Sequence, residues 1–271
     1  ILEIEKILGS NIEKLSYIDS WLILEAAYWH DVGMIVTYED KKRIMEDEDF
    51  KRFINQKSSE LDDFSDYAKL YLNYLQTGKG NILDLEQSFT FLLAEYVRRQ
   101  HSERSKKVLN DPDLIGLKNP QTGLIPSRLN ILLGEIIECH GKEFNSVLKL
   151  PYENDGLEAG DVAHPRLIAT LLRIGDLLDL DDGRHCPTQL KTIGKLPDLS
   201  MAHLKKHRSI ISKNINEFTV EIIAKCIDFD SFEIQNDWFS FIESEIENQD
   251  RYWSEIAPKS NLWKMPTIKK I

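Results

Sequence analysis

The stretch at 165–180, PRLIATLLRIGDLLDL, constrains the fold most. Leu167, Ile168, Leu171, Leu172, Ile174, Leu177, Leu178 and Leu180 fall on all sides of a helix axis. The segment therefore reads as a helix buried on nearly every face, with Pro165 near its start and Gly183 past its end. Yet Arg173, Asp176 and Asp179 stand inside it at three-residue steps, which places them on one stripe. A carboxylate buried without a partner is costly. The stripe must have one: a salt bridge from Arg173, a metal ion, or water in a cleft.

A second segment has the same character. In LILEAAYWHDVGM, residues 22–34, only Glu25 interrupts the apolar run before His30 and Asp31 close it and Gly33 permits the turn away. Asp19 or Ser20 is the expected N-cap. A histidine at a helix end is most often a dipole-compensating residue. Here, however, two more follow the most apolar helices: His101 after FLLAEYVRRQ, and His140 after ILLGEIIEC and before Gly141. His30, Asp31, His101, His140 and Asp176 together have the composition of a first-row metal site with mixed imidazole and carboxylate ligands, which suits Mn, Fe, Zn or Mg. There is no C-x-x-C pair, so cysteine-ligated structural zinc is not expected.

The rest of the chain is organised around such helices. Helical periodicity runs through 1–18, 39–77, 84–109 and 127–140, broken at TGKGN (77–81) and in a Pro- and Gly-rich loop at 110–126. After about residue 207 the pattern alternates around KNIN, as in a two-stranded hairpin, and then returns to helix. The expected class is mainly α, with a helical domain over 1–207 and a β-hairpin plus C-terminal helix over 208–271 packed on it. A net charge of −11 makes a nucleic-acid partner unlikely on electrostatic grounds. No apolar run is long enough to span a bilayer, and Cys139, Cys186 and Cys226 are too few and scattered for a disulfide framework, so a cytoplasmic location is expected.

At this point the sequence resembles the HD superfamily of metal-dependent phosphohydrolases, and most closely the HD-CE type, which is often joined to a GHKL-type ATPase domain. HDVGM matches the His–Asp doublet, and LLRIGDLLDLDDGR matches the distal aspartate motif. VRRQHSERS and CHGK resemble the extra histidine stretches of members with two metals. The resemblance covers roughly residues 15–215. It implies an HD-type helical bundle that binds one or two divalent ions and hydrolyses a small phosphorylated substrate, with a nucleotide as the expected class. It also implies metal ligation by His30, Asp31 and Asp176, with Asp31 and Asp176 at the catalytic centre, and a second ion held by His101 and His140. The family's first histidine normally precedes the doublet, and none precedes His30 here. The sequence opens on Ile1, which suggests a piece of a longer protein with that ligand on a preceding segment.

A phosphate substrate needs cations. Arg104 falls on the face of His101, Lys142 follows His140, and Arg184 follows the Asp176 helix; these are the expected phosphate contacts. Arg98 would share the His101 face, and Arg99 would point to solvent. Asp179 and Arg173 are expected as outer partners of the ligands. His164 reads as a helix-start residue, His185 and Cys186 as a loop end, His203 and His207 as part of a basic turn, and Trp238, Trp253 and Trp263 as tail core anchors. Two other functions compete with hydrolysis. One is an inactive nucleotide- or metal-sensing module that regulates an attached or partner ATPase. The other is a helical scaffold with 39–77 as its partner face. A homo-oligomer is compatible with the sequence.

Overall fold

The structure, a computed structural model, describes residues 1–117, 126–180, 196–259 and the strand at 267–270. Its helices are α1 (Leu2–Leu8), α2 (Tyr17–Trp29), α3 (Tyr38–Glu46), α4 (Glu48–Ser58), α5 (Asp63–Thr77), α6 (Ile82–Arg98) and α7 (His101–Asn110). They continue with α8 (Ser127–His140), α9 (Asn145–Lys149), α10 (Pro165–Leu177), α11 (Asp198–Ser209), α12 (Phe229–Arg251) and α13 (Trp253–Ile256). The mainly α expectation holds. The expected hairpin is β3 (Ile210–Ile215) against β4 (Thr219–Ala224), antiparallel, and β5 (Thr267–Lys270) adds a third strand parallel to β4. A two-residue ribbon, β1 (Asn154–Asp155) with β2 (Val162–Ala163), lies in the stretch before α10.

Helix α10 is the spine. Every residue from Leu167 to Gly175 is buried, as the all-round apolar pattern requires. The helix stops at Leu177, so Asp179 lies just past its end and not on a continuous stripe with Asp176. Around it α1, α2, α8, α12 and β4 contribute Ile7, Leu22, Leu133, Ile136, Ile242 and Val220 to one core. Each such side chain contributes about 1.5–3 kcal/mol of hydrophobic stabilisation. The C-terminal helix α12 shares this core. A second core unites α3–α6 through Ile44, Phe50, Phe53, Phe64, Tyr71, Leu92 and Tyr96. The charged 39–77 stretch is thus a folded helical layer with its own apolar face.

Two corrections follow from local chemistry. The cap of α2 is Ser16, whose hydroxyl accepts from Asp19 N while the Asp19 carboxylate accepts from Ser16 N; Asp19 is the third residue of a capping box, not the cap. Arg173 does not serve the carboxylates of its own helix. Its guanidinium makes a bidentate pair with Glu245 of α12 at 2.6 and 2.7 Å and donates to the carbonyls of Cys139 and Lys142, both at 2.6 Å. A buried guanidinium needs this many acceptors. By gripping the carbonyls on either side of His140 and Gly141, Arg173 anchors the end of α8.

Candidate metal centre

The site is built by register. Buried Asp19, in the first turn of α2, accepts from the backbone N–H of His164 and pairs with its Nδ1, each at 2.8 Å, at the start of α10. His164 is indeed a helix-start residue. With the two helices pinned together there, a rise of about 1.5 Å per residue carries both chains the same distance to within one residue, so His30 meets Asp176 at the far end. His30 Nε2 lies 3.6 Å from Asp176 Oδ1 and 3.4 Å from Asp31 Oδ2.

The other side of Asp31 faces two more imidazoles. Its Oδ1 is 3.6 Å from His101 Nε2 and 3.8 Å from His140 Nε2. His140 ends α8 as expected. His101 does not end a helix: the expected single helix over 84–109 breaks at Arg99–Gln100, and His101 starts α7. The last turn of α6 tightens there, with the N–H of Gln100 reaching only to Val97 O, while Arg98 and Arg99 both turn back onto Glu95. This break redirects the chain so that the first turn of α7 meets the doublet. It also takes Arg98 off the His101 face.

All three imidazoles are oriented alike. Nδ1 of His30 is 3.0 Å from Ala27 O, that of His101 2.7 Å from Arg98 O, and that of His140 2.5 Å from Ile137 O. A carbonyl can only accept, so each Nδ1 carries the proton and each Nε2 presents a lone pair inward. The ligand atoms form two groups, His30–Asp31–Asp176 and Asp31–His101–His140, each within 4.8 Å and sharing Asp31. His101 Nε2 and His140 Nε2 are only 2.8 Å apart. Two lone pairs at that distance repel unless a proton or a cation lies between them. The donor set therefore fits a cation.

When protonated, the same imidazoles act on the carboxylates between them. Burial alone would raise the Asp31 carboxyl, but His140, His30 and His101 outweigh it and bring it down to about 2. Burial opposes a charge on His30, yet the close approach of Asp176 and the charges of Asp31 and Asp176 raise it above the ordinary value. His101 moves the other way, lowered by burial and, further down the balance, by His140.

The expected phosphate contacts have other partners. Arg104 donates to Gly33 O at 2.9 Å and Ile35 O at 3.0 Å and lies 3.6 Å from buried Asp40. Its fork holds the turn after the doublet. Lys142 pairs with Glu138 at 2.6 Å and Glu103 at 3.5 Å, four residues behind it and across on α7. Arg184, His185, Cys186 and Trp263 lie outside the described residues. Asp179 lines a cavity of about 570 Å³ beside the His30 group, together with Tyr28, His30, Leu172, Asp176 and Lys213. Among the described residues no helix is long and apolar enough to cross a membrane.

A family model, HD-CE, matches residues 1–248. The chain belongs to the HD-CE family. No curated protein and no solved structure matches it. In this HD-CE chain the doublet, the distal aspartate and both extra histidines converge on one place.

Sequence reasoning missed what makes them converge. Gly33 was expected to permit a turn, but its role is close approach: an added Cβ would sit 2.5 Å from Ser105 N and closer still to His101 O. Gly141 does the same on the other side, where a Cβ would meet Ser102 Oγ at 2.6 Å and Ser102 Cβ at 2.8 Å. Two of the three histidines are thus followed, within three residues, by a glycine that docks its chain on the first turn of α7. That recurrence was the available signal.

Proposed function

We propose that this HD-CE chain is a divalent-metal-dependent phosphohydrolase acting on a nucleotide or related phosphoester. His30, Asp31 and Asp176 would hold one cation, and Asp31, His101 and His140 a second. The observation that carries this is the Asp31 carboxylate, which turns one oxygen to each imidazole group. A bound divalent ion would supply polarisation of a phosphoryl oxygen and a lowered pKa for water. The chain's own residues do the rest. The low pKa of Asp31 keeps its carboxylate ionised, the carbonyls of Ala27, Arg98 and Ile137 hold the imidazoles with Nε2 inward, and Asp176 stands against His30. The adjoining cavity offers room for the organic part of a substrate, with Leu172 and Tyr28 among its lining and Asp179 and Lys213 as charged groups.

One observation favours a second function. Arg104 and Lys142 are engaged elsewhere, so two of the three expected phosphate contacts are taken. This supports a nucleotide- or metal-sensing module without turnover, regulating an attached or partner ATPase of the GHKL type. The deciding experiment is metal analysis of the purified chain, followed by turnover of a nucleotide and phosphoester panel with added Mn²⁺. Hydrolysis lost in the His30→Ala, Asp31→Ala double variant, with the fold intact by circular dichroism, supports the enzyme. Metal and nucleotide binding without turnover supports the sensor. Hydrolysis retained in the double variant refutes the centre.

A further inference from the structure

We propose that Ser105 is a positioning residue that sets the affinity of the second cation group, Asp31–His101–His140, far more than that of the first. This rests on the two-group reading above. Ser105 is fully buried, one turn after His101 on α7. Its hydroxyl donates to His30 O at 2.5 Å and accepts from the N–H of Gly33 at 2.9 Å. It thus bonds the backbone immediately before Asp31 and again two residues after it. One side chain on the helix that carries His101 therefore fixes the peptide that carries Asp31. Arg104 continues the grip at the carbonyls of Gly33 and Ile35.

The first group shares Asp31 but has a second support that does not pass through this clamp. His30 and Asp176 are brought together by α2 against α10, pinned at the opposite end by Asp19 and His164. The second group spans three separate backbones, and of the α7 side chains that hold the doublet turn Ser105 is the one bonded on both sides of Asp31. Cutting it frees the doublet turn to draw back from α7, which lengthens the reach from Asp31 Oδ1 to His101, while Oδ2 faces His30, its neighbour in the chain. Outer partners of this kind typically change metal affinity by about 10–100-fold.

The test is a titration of the whole chain with Mn²⁺ alone, followed by calorimetry and by the electron paramagnetic resonance signature of two coupled Mn²⁺ ions. Wild type should take two ions, and His101→Ala one. Ser105→Ala should lose about tenfold or more in affinity for the second ion, with the first within about threefold, and should lose the coupled signal at subsaturating metal. Ser105→Cys keeps the volume with a weaker donor and should fall between the two; it carries the test if Ser105→Ala does not fold. Two ions bound by the folded serine variants with wild-type affinity would overturn the role of Ser105 and leave the two-group centre standing. A single ion in the wild type would overturn both.

Discussion

Gly33→Ala is the sharpest single perturbation. The added methyl would lie 2.5 Å from Ser105 N and nearer to His101 O, both backbone atoms that cannot swing aside. Ordinary contacts of carbon with nitrogen or oxygen need more than 3 Å, so the turn must retreat from α7 by roughly 1 Å. Retreat strains or breaks the two Ser105 bonds and the two Arg104 bonds. Overpacking costs about 1–3 kcal/mol, and losing one or two of these bonds about another 1 kcal/mol each. A loss of about 2–5 kcal/mol lowers the melting temperature by roughly 5–15 °C in a chain of this size. The same 1 Å carries Asp31 away from His101 and His140, so second-ion binding and any turnover should drop by about 100-fold. Gly80→Ala is the control, because a Cβ there meets only Tyr74 Cδ2 at an ordinary 3.7 Å. The assays are thermal melts and Mn²⁺ titration of both variants. Gly33→Ala with the melting temperature and metal affinity of Gly80→Ala would refute the close-approach argument.

Other consequences can be checked directly. Arg173→Ala strips Glu245 of its buried partner and should cost about 3–5 kcal/mol in urea unfolding, whereas Arg173→Met with Glu245→Met should recover only part of it, because the carbonyls of Cys139 and Lys142 still lose their donor. Burial lowers the His164 pKa, but its pairing with Asp19 raises it above the ordinary value overall. Its contribution to stability is therefore full below about pH 6.5, is lost as pH climbs through the raised folded value, and should vanish in His164→Gln, as urea midpoints between pH 6 and 8 would show. A cation must displace the proton that His30 holds above its ordinary range, so Mn²⁺ affinity should fall as pH drops through that raised value and level off above it, with Asp31 already ionised throughout. Isothermal titrations across pH 5.5–8 test this; a flat affinity would contradict the competition.

The burial of α10 was legible because six apolar side chains at helical spacing fall on all sides of its axis. The ligand types were legible for a related reason: His30 and Asp176 interrupt such segments. What could not be read was the direction of each charged side chain. Arg173 sits three residues from Asp176, but its partner Glu245 is distant in sequence, and no local pattern announces a pairing of that range. The break before His101 was hidden because 84–109 is helical in composition throughout; tertiary fit against the doublet turn overrides that preference. Arg104 was assigned to a phosphate on its charge and face alone, while the carbonyls it serves are more than sixty residues upstream.

Charged and polar groups inside this protein thus separate into two kinds. Arg173 with Glu245, and His164 with Asp19, match donor to acceptor, and each partner is accounted for by the other. The cluster around Asp31 does not close in that way. Three imidazoles turn Nδ1 to carbonyls, and two of them bring their Nε2 atoms to 2.8 Å, a contact that holds only with a proton or a cation between them. Retaining lone pair against lone pair makes sense where a positive charge is to be received. That asymmetry separates a receptive centre from a merely buried polar network in this chain, and it is why the metal titrations, more than stability measurements, bear on function.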